Sequence, residues 1–246
     1  MLNSINMNIT LDPSGCKVIE IDNDLIKLLI SLIADHIGLT YPFLQSYIPP
    51  DEIFGILHNE VASNLNSLMN ETSRKNRTIS KSIIRQHSEI ICDFLSKSIP
   101  RPDLLVNDDL YYRLIVPGET LISVPHRDAY FHNILPEWRH IIYANNYKLW
   151  IPLIQTSKNS IGIIPSSHRH DSFDDVEYTI EDNEKVAYTC SVSSDKLVPI
   201  SVPCGSGLLF PPSLIHGSLP IENLGPLRLS IELTLGYSDS SLRRIT

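Results

Sequence analysis

The chain has 246 residues, with 20 basic and 28 acidic side chains and a formal net charge of −8. Hydrophobic residues make up 42% of it. A chain of this size and composition can bury a full core without disulfide or metal staples, which excludes a disordered, collagen-like or disulfide-framework protein. The acidic balance argues against a broad nucleic-acid surface, which needs a basic face.

Met1 to Pro13 is polar and lacks a basic-then-apolar leader pattern. The longest apolar stretch, Leu25 to Ile33, is interrupted by Lys27 and Ser31 and is too short to span a bilayer. Cys16, Cys92, Cys190 and Cys204 are scattered, with no CxxC pair. They read as ordinary thiols of a reducing compartment, and the expected location is the cytoplasm.

The first part of the chain reads as helical. Asp22 or Asp24 can cap a helix carrying Leu25, Ile26, Leu28, Leu29, Leu32 and Ile33, with Gly38 as its stop. Pro49-Pro50-Asp51 opens a second helix with Ile53, Leu57, Val61, Leu65 and Leu68 on one stripe. A polar run from Asn70 to Thr78 contains the one basic cluster, Arg74, Lys75 and Arg77, and reads as a solvated linker. Ser80 then caps a third helix whose buried face is Ile83, Ile84, Ile90, Ile91, Phe94 and Leu95, ended by Pro100 and Pro102.

Beyond residue 100 the chain turns to short strands: Leu110 to Val116, Leu149 to Ile154, Ile161 to Ile164, Leu197 to Val202, Leu208 to Phe210 and Leu227 to Gly236. In the last of these, Arg228, Ser230, Glu232 and Thr234 alternate with Leu229, Ile231, Leu233 and Leu235, a period of two. Of Tyr112 and Arg113, one should face the interior. Helices first and strands after predict a single, mainly β domain, an antiparallel barrel or jelly roll buttressed by helices. The acidic stretch Asp171 to Lys185 reads either as a solvated insertion or as a flap over a site.

The densest chemistry lies at Pro125-His126-Arg127-Asp128. Residues i and i+2 share a face, so His126 and Asp128 can reach one metal. His216 follows an apolar strand and can complete the set. Two His and one carboxylate form the facial triad of non-haem Fe(II) oxygenases, which leaves positions open for a co-substrate and O2. Singly, each residue has a plainer reading: a loop salt bridge for His126 and Asp128, a structural His216, and an ion pair for Arg228 with Glu232. Together with Arg228 and Ser230 on one strand face, the set suits a dicarboxylate such as 2-oxoglutarate, because a planar guanidinium meets a carboxylate end-on.

Taken in order, the segments His126-Arg127-Asp128, Leu149 to Leu153 (LWIPL), Gly162 to His168 (GIIPSSH), His216-Gly217-Ser218 and Arg228-Leu229-Ser230 resemble the phytanoyl-CoA-hydroxylase-like branch of Fe(II)/2-oxoglutarate dioxygenases. The resemblance covers roughly residues 108–236. It implies a double-stranded β-helix (jelly-roll, cupin-like) fold, in one dioxygenase domain over 1–246 with a helical support region at 1–105 and a core at 106–240. It also implies iron ligation by His126, Asp128 and His216. Arg228 would bind the distal carboxylate of 2-oxoglutarate, with Ser230, Ser218 and Trp150 lining that pocket. The carboxylate at Asp128 favours hydroxylation over halogenation. Ser166 stands where the family's turn usually has Gly.

Arg127, Tyr130, Arg113 and His168 are candidate substrate contacts, and their polarity suggests a small polar metabolite such as an amino acid, a sugar derivative or a natural-product intermediate. His132 and His140 read as loop surface residues. No nucleic-acid or membrane partner is expected. A second reading takes Gly162 to His170 and Gly205 to His216 as the halves of a cupin metal motif. It would use His168, His170 and His216 in an isomerase, epimerase or dioxygenase. A third is a jelly roll that binds ligand without catalysis.

Overall fold

The computed structural model describes residues 11–40, 78–79, 81–100, 104–106, 110–115, 124–129, 146–154, 161–169, 176–181, 184–219 and 228–237. The expected second helix lies outside these residues.

Helix α1 spans Asn23–Thr40. Asp22 is its cap: Oδ1 accepts the Asp24 N–H at 2.8 Å and the carbonyl accepts the Ile26 N–H at 3.1 Å. Leu25, Leu29, Leu32 and Ile33 are buried, the spacing of one helical face. The helix runs through Gly38, where a stop was expected; one interior glycine costs only about 1 kcal/mol, which tertiary packing overrides. Helix α2 spans Lys81–Ser98 and buries Ile84, Ile91 and Leu95, with Ile83 and Phe94 partly covered. Ile90, expected on the buried face, is exposed. It sits about 100° around the helix from Ile91 and so falls off the stripe. Lys97 of α2 pairs with Asp22 at 2.6 Å, joining the end of one helix to the start of the other.

Twelve strands are described, all paired antiparallel. The large sheet runs in the order β1 (Lys17–Glu20), β10 (Ser206–Phe210), β5 (Tyr147–Ile154), β12 (Arg228–Tyr237), β4 (Leu110–Ile115) and β2 (Thr78–Ile79), with β3 (Leu104–Val106) also paired to β12. A smaller sheet orders β11 (His216–Ser218), β6 (Ile161–Ile163) and β9 (Val198–Ile200). The acidic stretch read as an insertion or flap overlaps a two-stranded hairpin, β7 (Val176–Glu181) with β8 (Glu184–Cys190). Its valine, isoleucine, threonine and tyrosine content supports strands despite the acids between them.

The large sheet has two unlike faces. Leu229, Ile231, Leu233 and Leu235 of β12 pack with Leu149, Ile151 and Leu153 of β5 against Leu25, Leu29 and Ile33 of α1 and Ile84, Ile91 and Leu95 of α2. Helices and sheet therefore share one core. On the opposite face Trp150, Leu208 and Phe210 pack with Ile161, Ile163 and Leu214 across the gap between the sheets. The architecture is a mainly β jelly roll buttressed by helices, as the strand and helix order predicts. Tyr112 belongs to the helix-side core. Arg113, directly opposite Ser230 in register, stands on the inter-sheet face and is exposed.

A turn at Asp12–Cys16 is clamped onto the Pro165–Arg169 turn. Ser166 has φ +65°, a conformation that favours glycine. The departure from glycine at this turn is accommodated by two bonds: Ser166 N–H donates to Ser14 O at 2.7 Å and its Oγ–H donates to Pro13 O at 2.8 Å. Ser166→Ala should therefore cost about 1 kcal/mol in urea denaturation, since it loses a hydrogen bond and keeps the strain. Ser166→Gly should cost less, because it relieves the backbone while losing the same bond. A reversed ranking would show that the turn is unstrained.

Candidate metal centre

His126 and His216 come from segments far apart in sequence, and their main chains join them. His126 N–H donates to His216 O at 2.9 Å and His216 N–H donates to His126 O at 3.0 Å. This reciprocal antiparallel bridge puts both imidazoles on one side, ring centroids 4.4 Å apart. Asp128, two residues on, turns to the same side. Its Oδ1 lies 3.7 Å from His126 Nε2 and its Oδ2 lies 3.6 Å from His216 Nε2. The ligand atoms of all three residues lie within 4.8 Å of one another, and all three residues are buried. Among the described residues this is the one cluster of His, Cys, Asp and Glu able to hold a metal ion.

The hydrogen bonding fits a metal. His126 Nδ1 is 2.8 Å from Val124 O, and His216 Nδ1 is 3.0 Å from Leu214 O. A carbonyl only accepts, so each Nδ1 carries the hydrogen and each Nε2 turns a lone pair inward. Burial pushes the His126 imidazole down to about 4, and His216 beside it adds to the depression against the opposing pull of Asp128. The ring is neutral at physiological pH, the form a metal requires.

The loops carrying the ligands are fixed by backbone and side-chain bonds. Ala129 N–H donates to Pro212 O and Cys190 N–H donates to Pro125 O, which ties the β7–β8 hairpin to the His126 loop. Arg127, an expected substrate contact, is buried, and its Nη1 donates to the carbonyls of Ser167 and Ser213. Side chains alternate along the segment, so with His126 and Asp128 facing the site Arg127 is sent into the scaffold. Ser167 Oγ in turn accepts the Ile215 N–H beside His216.

Arg228 is 1% exposed, and its Nη2 donates to Ser218 Oγ at 3.4 Å. Ser230 and Trp150 are buried on the same inter-sheet face. The plainer expectation of an Arg228–Glu232 ion pair is not met: Glu232 Oε1 accepts from Lys148 Nζ at 2.7 Å. That Nζ also lies 3.7 Å from Asp128 Oδ2. Burial opposes the charge on Lys148, but Asp128 and Glu232 outweigh it and keep the ammonium protonated. Sequence reading missed Lys148. The signal was present, because a lysine two positions before Trp150 in an apolar strand shares that residue's face.

Among the described residues His168 does not join His216, as the cupin arrangement requires. His216 meets His126 and Asp128, whereas His168 packs over Gly15, where a Cβ would come within 2.1 Å of its Nδ1. Tyr130, His132, His140 and His170 lie outside the described residues.

A family model described as phytanoyl-CoA dioxygenase (PhyH) matches residues 69–228, more than half of the chain. The chain belongs to the phytanoyl-CoA dioxygenase family. With its buried His/Asp/His cluster it is a non-haem dioxygenase dependent on Fe(II), 2-oxoglutarate and O2. Among solved structures, the apo form of the non-heme monooxygenase ThoJ is similar at a TM-score of 0.50 and 13% identity, covering 92% of this chain and 75% of that one. EctD from S. alaskensis, solved with 2-oxoglutarate and 5-hydroxyectoine, has a TM-score of 0.49, 15% identity and coverage of 92% and 73%. AviO1 from Streptomyces viridochromogenes Tue57 has a TM-score of 0.47, 16% identity and coverage of 94% and 98%. At 13% identity the likeness to ThoJ concerns fold alone. No curated protein matches the chain. Among the described residues no helix is long and apolar enough to cross a membrane.

A neutral His126 in the folded state and an ordinary one in the unfolded state bind protons unequally. Between pH 6.5 and about 4 the unfolded chain binds more, so metal-free protein should lose stability as pH falls through that window. His126→Asn should flatten the profile in thermal melts taken across it. A profile identical to wild type would remove His126 as the cause.

Proposed function

We propose that the chain hydroxylates a small polar metabolite and converts 2-oxoglutarate to succinate and CO2 in the same turnover. The observation that carries this reading is the convergence of the His126, Asp128 and His216 ligand atoms, with buried Arg228 bonded to Ser218, two residues beyond His216. In it, the two Nε2 atoms and the Asp128 carboxylate hold Fe(II). Bound there, iron would supply the activation of O2 that decarboxylation of the co-substrate drives.

The chain's own residues provide orientation and exclusion of water. Arg228 anchors the distal carboxylate of 2-oxoglutarate with its planar fork, helped by the hydroxyls of Ser218 and Ser230. Trp150 closes the apolar wall between the sheets. A guanidinium buried this deeply is costly unless an anion or other acceptors meet it, and the distal carboxylate of 2-oxoglutarate would be such an anion. Asp128 occupies a ligand position with a carboxylate, which favours transfer of hydroxyl over halide.

The substrate reading rests on Arg113. It is exposed on the face it shares with Ser230, and its positive charge reaches His126. A guanidinium placed there favours an anionic or polar molecule over a lipid. Residues 1–246 act in this reading as one catalytic domain, with the helices as support.

Succinate release with added Fe(II) and 2-oxoglutarate tests the reading. Wild type should produce succinate and His126→Ala should not. Arg228→Ala should raise the KM for 2-oxoglutarate by about 100-fold, the loss expected when a charged hydrogen-bonded anchor is removed. Equal succinate release by wild type and His126→Ala would sink the proposal.

A further inference from the structure

We propose that Lys148 is a positioning residue of the metal centre: tethered by Glu232, its ammonium holds the Asp128 carboxylate in the orientation that faces it to the His126 and His216 Nε2 atoms. The inference rests on the reading of His126, Asp128 and His216 as metal ligands.

The placement follows from register. Lys148 lies opposite Thr234, and Glu232 lies opposite Trp150, so Lys148 and Glu232 are diagonal neighbours on the inter-sheet face of β5 and β12. In β10 the residue opposite Lys148 is Phe210. An ammonium among apolar side chains between two sheets is unfavourable unless it is paired. Here it is only 6% exposed and has two carboxylates in reach. Glu232 accepts from it at 2.7 Å, a close charge-assisted bond, and Asp128 Oδ2 stands at 3.7 Å. The tether fixes the ammonium, and the ammonium biases the nearer oxygen of Asp128 toward itself. Held there, Oδ2 lies 3.6 Å from His216 Nε2 and Oδ1 lies 3.7 Å from His126 Nε2, so the carboxylate faces both imidazoles. A carboxylate restrained in this way stays turned toward the two ligand nitrogens.

A purely electrostatic role predicts the opposite outcome. A cation beside a metal ligand repels the metal, so deleting the charge would tighten metal binding. A positioning role predicts that deletion weakens it, because residues that orient metal ligands typically contribute ~10–100-fold to affinity.

Metal titration of the full-length chain separates the two. Lys148→Met should bind Fe(II) and Co(II) about 10-fold more weakly than wild type and change the Co(II) visible spectrum. Lys148→Met leaves the half-buried Glu232 without its ammonium partner, so the neutral pair Lys148→Met with Glu232→Gln is the companion variant. Its metal-free melting temperature should match wild type while its metal binding stays about 10-fold weaker. Wild-type or tighter metal affinity in the double variant overturns the proposal, because the defect of the single variant would then belong to the stranded Glu232. Metal binding that is absent in wild type, or equal in wild type and His126→Ala, overturns the metal-centre reading itself.

Discussion

The reciprocal main-chain bridge between His126 and His216 is the constraint on which the site depends. Two backbone hydrogen bonds set both imidazoles on one face before any side chain contributes. The Nδ1 contacts to Val124 O and Leu214 O then choose the tautomer, and burial keeps His126 neutral. Because the bridge belongs to the backbone, substitution of either histidine should remove ligand chemistry without opening the sandwich. Arg127 reinforces the arrangement from behind by gathering the carbonyls of Ser167 and Ser213.

The large sheet separates two tasks by the parity of its residues. Odd positions of β12, Leu229 to Leu235, bind the sheet to the helices. Even positions, Arg228, Ser230 and Glu232, face the second sheet and carry charge or hydroxyls. The division explains how a polar site sits inside an apolar sandwich. The helix-side core supplies most of the burial that holds the strands, so the other face is free to carry groups that are unfavourable there by themselves. The Lys148–Glu232 pair is such a group, and its neutral sum keeps the interior from accumulating uncompensated charge.

Much of this was legible in the sequence because periodicity and local motifs carry it. The alternation of β12, the stripe of α1 and the His126-Arg127-Asp128 and His216-Gly217-Ser218 segments are all read from neighbours in the chain. What was missed is non-local or marginal. β1, β2 and β3 are two to four residues long and depend on partner strands for their definition. The β7–β8 hairpin was masked by its acids, since charge was weighed above β-branched content. Ile90 satisfied an apolar pattern but fell outside the stripe that the fold uses. Arg127 and His168 looked like pocket residues by type. Their contacts, with loop carbonyls and with Gly15, come from segments that sequence reading cannot bring together. Lys148 was readable by parity alone and was passed over because its partners lie on another strand and another loop.

The clamp between the Asp12–Cys16 turn and the Pro165–Arg169 turn has a kinetic side. Its Ser166–Pro13 bond closes a loop of 153 residues, and β1 pairs with β10 at a comparable remove. Such closures offer no reward until most of the chain is in place. Folds ruled by pairings of this kind assemble slowly, over roughly milliseconds to seconds, compared with microseconds for helical bundles. During that interval β10 stands as an uncovered strand edge, because the segment that caps it waits for the rest. Docking of this segment thus exchanges the apolar edge of β10 for the short edge of β1, which carries Lys17 and Glu20.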